Sequence, residues 1–251
     1  MYHTTGLTKA GFADLCGRIE NIKLSPGMRR WPPVLGLRDS LKVTLTYLRK
    51  NRVQAEIAED FGVSQPTVSR AISAVTPLLV IALSGFAPAV RMPDDGGSYF
   101  VDGTLLPSWI RRDHPELWSG KHRRAGMKVL IACTPAGRPA WISAPVNGKH
   151  HDMYLWNQLG LSAGSDPFAF CGDTAFTGSG MTVPLKKPRK AEFEPWEKEY
   201  NKSIAQVRWI VEQAIANFKT WRIIHTGHRR PVETFPETIA AVTALHFYTN
   251  A

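Results

Sequence analysis

Cysteine is scarce in this chain of 251 residues. Cys16, Cys133 and Cys171 are the three, far apart and odd in number, with no CxxC pair and no Cys/His ligand spacing. Disulfide frameworks and zinc sites are both disfavoured, and a reduced, intracellular protein is expected. Long apolar runs are missing as well. The longest, "LLVIALSGFAPAV", is too short to cross a bilayer and contains Pro88, so it reads as a packed helix and a linker. The start of the sequence has no charged-then-apolar signal pattern, there is no internal repeat, and no heptad pattern supports a particular dimer. Negative charge is the remaining shortage: 21 Asp and Glu stand against 31 Lys and Arg, a formal net charge of +10. A polyanion is then the default partner, nucleic acid rather than membrane.

What is present supports a globular protein. Hydrophobic residues make up 43% of the chain, and its length suffices for one large domain or two modest ones with a proper core. Basic residues come in short clusters, "RKNR", "RRDH", "GKHRR", "KKPRK" and "GHRRP", rather than in one tail. Up to about residue 90 the signals are helical, with Leu37, Leu41, Leu45 and Leu48 forming an amphipathic stripe. "RMPDDGGS" then reads as a linker. Beyond it the period changes. "SYFVDGTLL", "MKVLIACT", "RPAWISAPV" and "DPFAFCGD" have the composition of strands, with "TPAG" as a hairpin turn. "DMYLWNQLG" is helix-like, and "EPWEKEYNKSIAQVRWIVEQAIANFKTW" is a long helix with acidic residues in its early turns. The expectation is an α/β domain over residues 91–251 after an all-helical domain over residues 1–90.

The helical part contains "QAEIAEDFGVSQPTVSRAIS", which reads as a helix-turn-helix over about residues 54–73. Gly62 suits a turn that needs positive φ. Ala58 is small enough to let a second helix cross nearby, and Ile57, Phe61, Val63 and Val68 supply apolar contacts. Ser64 is placed to cap the second helix, with Pro66 in its first turn. If that helix enters a major groove, Gln65, Thr67, Ser69 and Arg70 are the side chains able to meet base edges and phosphates. A helical hairpin without a DNA role is the alternative.

Three carboxylates carry the chemistry. "FVDGT" places Asp102 at the end of the first strand, "FAFCGDTAF" places Asp173 at the end of the fourth, and the late helix contributes Glu212. Either aspartate alone fits a turn or a cap equally well. "QVRWIVEQAIANFKTWRII" is apolar almost all round, which implies a buried helix, yet Arg208, Glu212 and Lys219 project from one face. A buried carboxylate needs a reason, and a metal site supplies one. Oxygen-only ligands suit Mg²⁺ or Mn²⁺, and two such ions about 4 Å apart can activate a water or a 3′-hydroxyl at a phosphodiester. Arg208 and Lys219 would hold phosphates beside them. An exposed Arg208–Glu212 pair at i and i+4 is the bland alternative.

The segments "VDGT", "GDTAF" and "RWIVEQAIANFKTWRI" resemble the signatures of DDE-type transposases of bacterial insertion sequences, in the branch related to the Harbinger elements. The similarity runs from about residue 7 to the end. It implies a ribonuclease-H-like catalytic domain, with Asp102, Asp173 and Glu212 as the three acids holding two divalent cations. It also implies binding of element ends and target duplex DNA, strand cleavage and strand transfer, assembly as a homo-oligomer on DNA, and a bacterial cytoplasmic, nucleoid-associated location. Related transposases carry a Tyr, Arg, Glu, Lys signature on the last helix. Arg208, Glu212 and Lys219 fit its spacing, but Ala205 stands where the Tyr would be. Asp152 in "GKHHDM" reads as an N-cap of the crossover helix or as an auxiliary acid. Lys121, His122, Arg123 and Arg124 look DNA-facing, as do Lys186, Lys187, Arg189 and Lys190 in the basic insert. Trp209 and Trp221 are expected in the core. The rivals to transposition are a retired DNA-binding regulator and a nuclease that hydrolyses without joining.

Overall fold

Helical sequence gives way to strand sequence near residue 90, and the computed structural model follows that change. It describes residues 2–23, 30–93, 97–109, 113–161, 166, 168–187 and 192–251. These form two compact units, Met1–Ala87 together with Lys219–Ala251, and Pro88–Phe218.

The first unit begins with α1 (Tyr2–Thr5), α2 (Lys9–Glu20), α3 (Gly36–Lys50), α4 (Gln54–Asp60) and α5 (Gln65–Ala82). Thr8 caps α2 by accepting the Gly11 N–H at 3.0 Å. The leucine stripe of α3, Leu37, Leu41, Leu45 and Leu48, is buried throughout, and Asn51 ends that helix in the left-handed conformation. In α5, Val68, Ala71, Ile72, Val75, Leu78 and Leu79 recur at three and four residues and form one buried face, which packs against α2, α3 and α4.

The second unit holds β1 (Tyr99–Pro107), β2 (Trp118–Ser119), β3 (Arg124–Cys133), β4 (Pro139–Ile142), β5 (Val146–Asn147), α6 (Asp152–Gln158), β6 (Phe170–Cys171) and α7 (Pro195–Phe218). The sheet runs β2-β3-β1-β6, with β4 and β5 also paired to β3. β1 and β3 are antiparallel, whereas β6 is parallel to β1, as a crossover through α6 requires. Thr134 and Gly137 close the β3–β4 hairpin, Gly137 at φ 75°. Successive residues of β1 face opposite sides. Val101 joins a core of Trp141, Trp156, Phe170 and Phe176, while Phe100 packs with Cys133 and with Val211 and Ala214 of α7.

The chain then returns to the first unit through α8 (Ile223–Thr226) and α9 (Phe235–Thr249). Phe235, Ile239, Val242 and Leu245 of α9 are buried, and α9 packs against α5. The single boundary expected from the linker had assigned this tail to the second domain. Part of that linker, residues 94–96, lies outside the described residues.

Two expectations about packing need correction. α7 is not apolar all round in effect: Val211, Ala214 and Phe218 are buried, while Trp209, Glu212, Gln213, Ala216 and Asn217 are exposed. Alanine reads as apolar in a sequence pattern but tolerates water. Trp221 is in the core as expected, but Trp209 is 57% exposed.

Candidate functional site

The parallel pairing of β1 and β6 governs the site. Phe100 lies opposite Cys171, so two residues further along both chains Asp102 and Asp173 come level. They line one small cleft with Phe100, Val101, Cys171, Gly172, Arg208 and Val211. β1 continues past Asp102 to Pro107, so this aspartate sits within the strand rather than at its end. Asp173 follows β6 and caps a 3₁₀ turn over Thr174–Phe176 by accepting the Ala175 N–H at 2.8 Å. Asp102 accepts the N–H of Gly103 at 2.7 Å. One oxygen of each carboxylate is thus oriented by backbone. Gly172, next to Asp173 in the chain, must be glycine, because a Cβ there would stand 2.7 Å from the Phe176 ring.

Charge accumulates in this cleft. The Asp102 carboxyl is pushed up to about 6, first by burial and then by the nearby charges of Asp173 and Asp152, against the opposing Gly103 N–H and Arg208. Two carboxylates in a shared, half-closed cleft fit a hard divalent cation, whose charge would relieve that accumulation. Among the described residues, however, no group of three or more His, Cys, Asp or Glu is placed to hold an ion.

Glu212 accounts for the shortfall. Val211 faces the cleft, and the next residue points about 100° further round the helix. The Glu212 side chain is 60% exposed and sits 3.6 Å from Arg208 at i and i+4, so the expected buried carboxylate is not observed. α7 ends at Phe218, and Lys219 follows it directly, half-buried, at the start of the return to the first unit.

Asp152 is not an N-cap. His151 holds the cap position and Asp152 is the first residue of α6. Its carboxylate is buried, 3.1 Å from the equally buried Lys128 of β3 and 3.7 Å from Lys121. Gly103 lies against it: a Cβ at Gly103 would come within 2.6 Å of the Asp152 carboxyl carbon. Lys128 went unnoticed in the sequence, although a lysine inside "MKVLIACT" signalled it, since a cation in a buried strand needs a partner. Of the other basic positions, Lys121, His122 and Arg123 are exposed in the turn between β2 and β3. Lys186 and Lys187 are exposed, and Lys187 pairs with Glu192 at 2.7 Å. Arg189 and Lys190 lie outside the described residues.

In the first unit, Gly62 turns the chain at φ 61° between α4 and α5, and Ile57, Ala58 and Val68 are buried beneath the turn. Ser64 occupies the cap position of α5 without a side-chain bond to the backbone. Its hydroxyl lies 3.0 Å from that of Thr67. Thr67 is therefore turned inward, only 6% exposed, and cannot read a base, contrary to expectation. Gln65 and Arg70 are exposed and Ser69 is half-buried. Beside Gln65 the returning chain adds Arg229 and Arg230, which share a cleft with Arg52 and Gln54. Arg230 donates to Ser73 of α5 at 2.6 Å, and Arg229 donates to Asn51. The sequence had shown these two arginines only as a basic cluster, with no sign of which unit receives them.

The sequence model of the family described as DDE superfamily endonuclease matches residues 101–246, and that described as helix-turn-helix of DDE superfamily endonuclease matches residues 33–85. A putative transposase for insertion sequence element IS112 from Streptomyces albus G is 30% identical over 195 residues, covering 77% of this chain and 73% of its own. A probable transposase for insertion sequence element IS702 from Microchaete diplosiphon is 23% identical over 245 residues, covering 94% and 87%. No solved structure matches. No helix among the described residues is long and apolar enough to cross a membrane. The chain belongs to the DDE-type transposases of insertion sequences, DDE superfamily endonucleases that carry an N-terminal helix-turn-helix.

Proposed function

We propose that this chain binds the terminal repeats of an insertion sequence through its helix-turn-helix unit and cleaves and transfers DNA strands at the Asp102–Asp173 cleft. The observation that carries the reading is the meeting of these two carboxylates, from parallel strands, in one cleft beside Arg208. A ribonuclease-H-like fold for this unit is supported by the strand order, with β1 antiparallel to β3 and parallel to β6.

Asp102 and Asp173 would hold divalent cations, Mg²⁺ or Mn²⁺, with Glu212 joining them by leaving its exposed pair with Arg208. When bound, such ions supply Lewis-acid activation of a water or a 3′-hydroxyl and charge stabilisation at the phosphodiester. The chain's own groups do the rest. The Gly103 and Ala175 N–H groups fix the carboxylates, and Arg208, released from Glu212, pairs a phosphate oxygen. Gln65, Ser69 and Arg70 face the duplex from α5, with Arg229 and Arg230 holding its backbone. Lys121, His122, Arg123, Lys186, Lys187, Arg189, Lys190 and Lys219 add phosphate contacts, and a homo-oligomer forms on paired ends.

The test uses a labelled duplex carrying an element end, with Mg²⁺ or Mn²⁺, and the Asp102→Asn, Asp173→Ala and Glu212→Ala variants. Metal-dependent nicking and joining, lost in all three, is expected. Nicking without joined products moves the assignment to a hydrolytic nuclease. Binding without cleavage in the wild type moves it to a DNA-binding regulator.

A further inference from the structure

A second cleft lies at the opposite end of β1. It has a volume of about 270 Å³ and is lined by Ser108, Trp109, Trp118, Arg123, Arg124 and Ala125. Ser108 directly follows β1 and donates its N–H to the carbonyl of Ala125 at 2.8 Å. Trp118 stands opposite Ala125, and Ser119 opposite Arg124, in the β2–β3 pair. Arg123 turns that hairpin with φ at 50°. Backbone pairing thus fixes the floor, which is made of the small buried residues Ser108 and Ala125. The walls are two indoles and two guanidinium groups. Ser108 is six positions along the chain from Asp102, about 20 Å at the usual strand rise, so this cleft is distinct from the carboxylate site.

We propose that this cleft takes an unpaired nucleobase of bound DNA, stacked on Trp109 or Trp118 with its phosphates against Arg123 and Arg124. The inference rests on the DNA-processing function proposed above. Three features point to that occupant. Trp109 is 65% and Trp118 47% exposed, two large aromatic faces left in water around one concavity, which is the arrangement of a stacking platform. None of the six lining residues is acidic, and Arg123 and Arg124 are both exposed, as phosphate contact and guanidinium stacking require. The volume lies just below the roughly 300–1,000 Å³ of sites for drug-sized ligands, which suits a single heterocycle. A paired base, locked in its stack, cannot enter a concave pocket. An unpaired one can, and it brings the charge that two arginines would meet.

The experiment measures binding of the full chain to a blunt duplex and to the same duplex with a short unpaired 3′ overhang containing 2-aminopurine. Wild type is compared with Trp109→Ala, Trp118→Ala and Trp118→Phe. All three replace exposed side chains, and far-UV circular dichroism with urea midpoints checks that they fold. The wild type should bind the overhang duplex several-fold tighter than the blunt one and quench the 2-aminopurine. The alanine variant that removes the stacking indole should lose about 5- to 150-fold on the overhang duplex, the range for one stacked base, and neither alanine variant should lose more than about twofold on the blunt one. Trp118→Phe should retain most of the affinity. Equal binding of both duplexes by the wild type overturns the proposal. So does an equal loss on both in the variants, which makes the cleft a general duplex contact. A change in self-association at unchanged overhang affinity also overturns it, as a protein contact. If the wild type binds neither duplex, the DNA-processing reading fails with it, whereas blunt-duplex binding without overhang preference removes only the base pocket.

Discussion

Lys128 and Asp152 offer the sharpest test of how the second unit is held together. Both are buried, at 3% and 5% exposure, and their charged atoms are 3.1 Å apart. At an effective dielectric constant near 20, two unit charges at that distance attract by about 5 kcal/mol, an attraction that desolvation of both ions largely offsets. Removing one partner leaves the desolvation of the other uncompensated, for which about 3–5 kcal/mol is usual. Lys121, at 3.7 Å from Asp152 but 58% exposed, can restore only the small amount typical of a surface pair, up to about 1 kcal/mol. Asp152→Asn keeps the side-chain shape against Gly103 and strands the Lys128 ammonium, so a loss of about 3 kcal/mol is expected. Lys128→Met should lose somewhat less, because Lys121 still reaches the carboxylate. The double variant should be at least about 2 kcal/mol more stable than the sum of the single losses implies. Urea melts followed by far-UV circular dichroism and by tryptophan emission supply the numbers, and their coincidence licenses a two-state treatment. Single losses below about 1 kcal/mol with additive behaviour would refute the reasoning and mean that the pair is solvated.

Burial, with Arg230 nearby, holds His228 down to about 3, and burial, with Arg49 nearby, holds His246 down to about 4. Both stay neutral when folded, whereas the unfolded chain takes up protons below about 6.5. Their contribution to stability is therefore complete above about pH 6.5 and is lost progressively as the pH falls towards about 3. Thermal midpoints measured from about pH 7.5 down to about 4.5 should drop, less so in a His228→Gln variant, and a flat profile would contradict the assignment. Gly62 has φ at 61°, and a Cβ added there would meet open space, so Gly62→Ala should lose about 1–2 kcal/mol from backbone strain alone. Gly62→Asn should lose less, and equal urea midpoints for all three proteins would remove the strain argument. Arg229→Ala or Arg70→Ala should weaken duplex binding in gel shifts and flatten the log–log salt slope by about one unit for each phosphate released. Joint replacement of Lys186, Lys187, Arg189 and Lys190 should do the same in proportion. An unchanged slope rejects the phosphate-binding role of the residue concerned.

The sequence by itself determined the local decisions. The leucine stripe of α3, the Gly62 turn, the helix of residues 195–218 and the strand around Asp102 each follow from short-range rules: side-chain periodicity, the steric freedom of glycine and the pairing preferences of β-branched residues. The basic character of the chain and the candidate acids stood out in the same way, by residue type and immediate neighbours. Tertiary structure alone decided which faces met. Thr67 looks exposed at the start of a helix but turns inward to Ser64, and α7 shows water a face that a hydrophobicity pattern hides. Lys128 finds Asp152 across 24 positions, and Arg230 reaches Ser73 across 157. Pairings of that span depend on how a whole sheet assembles and on which unit a returning helix covers. The buried face of α5 is covered by its neighbours α2, α3 and α4 and also by α9, from the far end of the chain. Nothing within a few residues of either helix encodes that pairing.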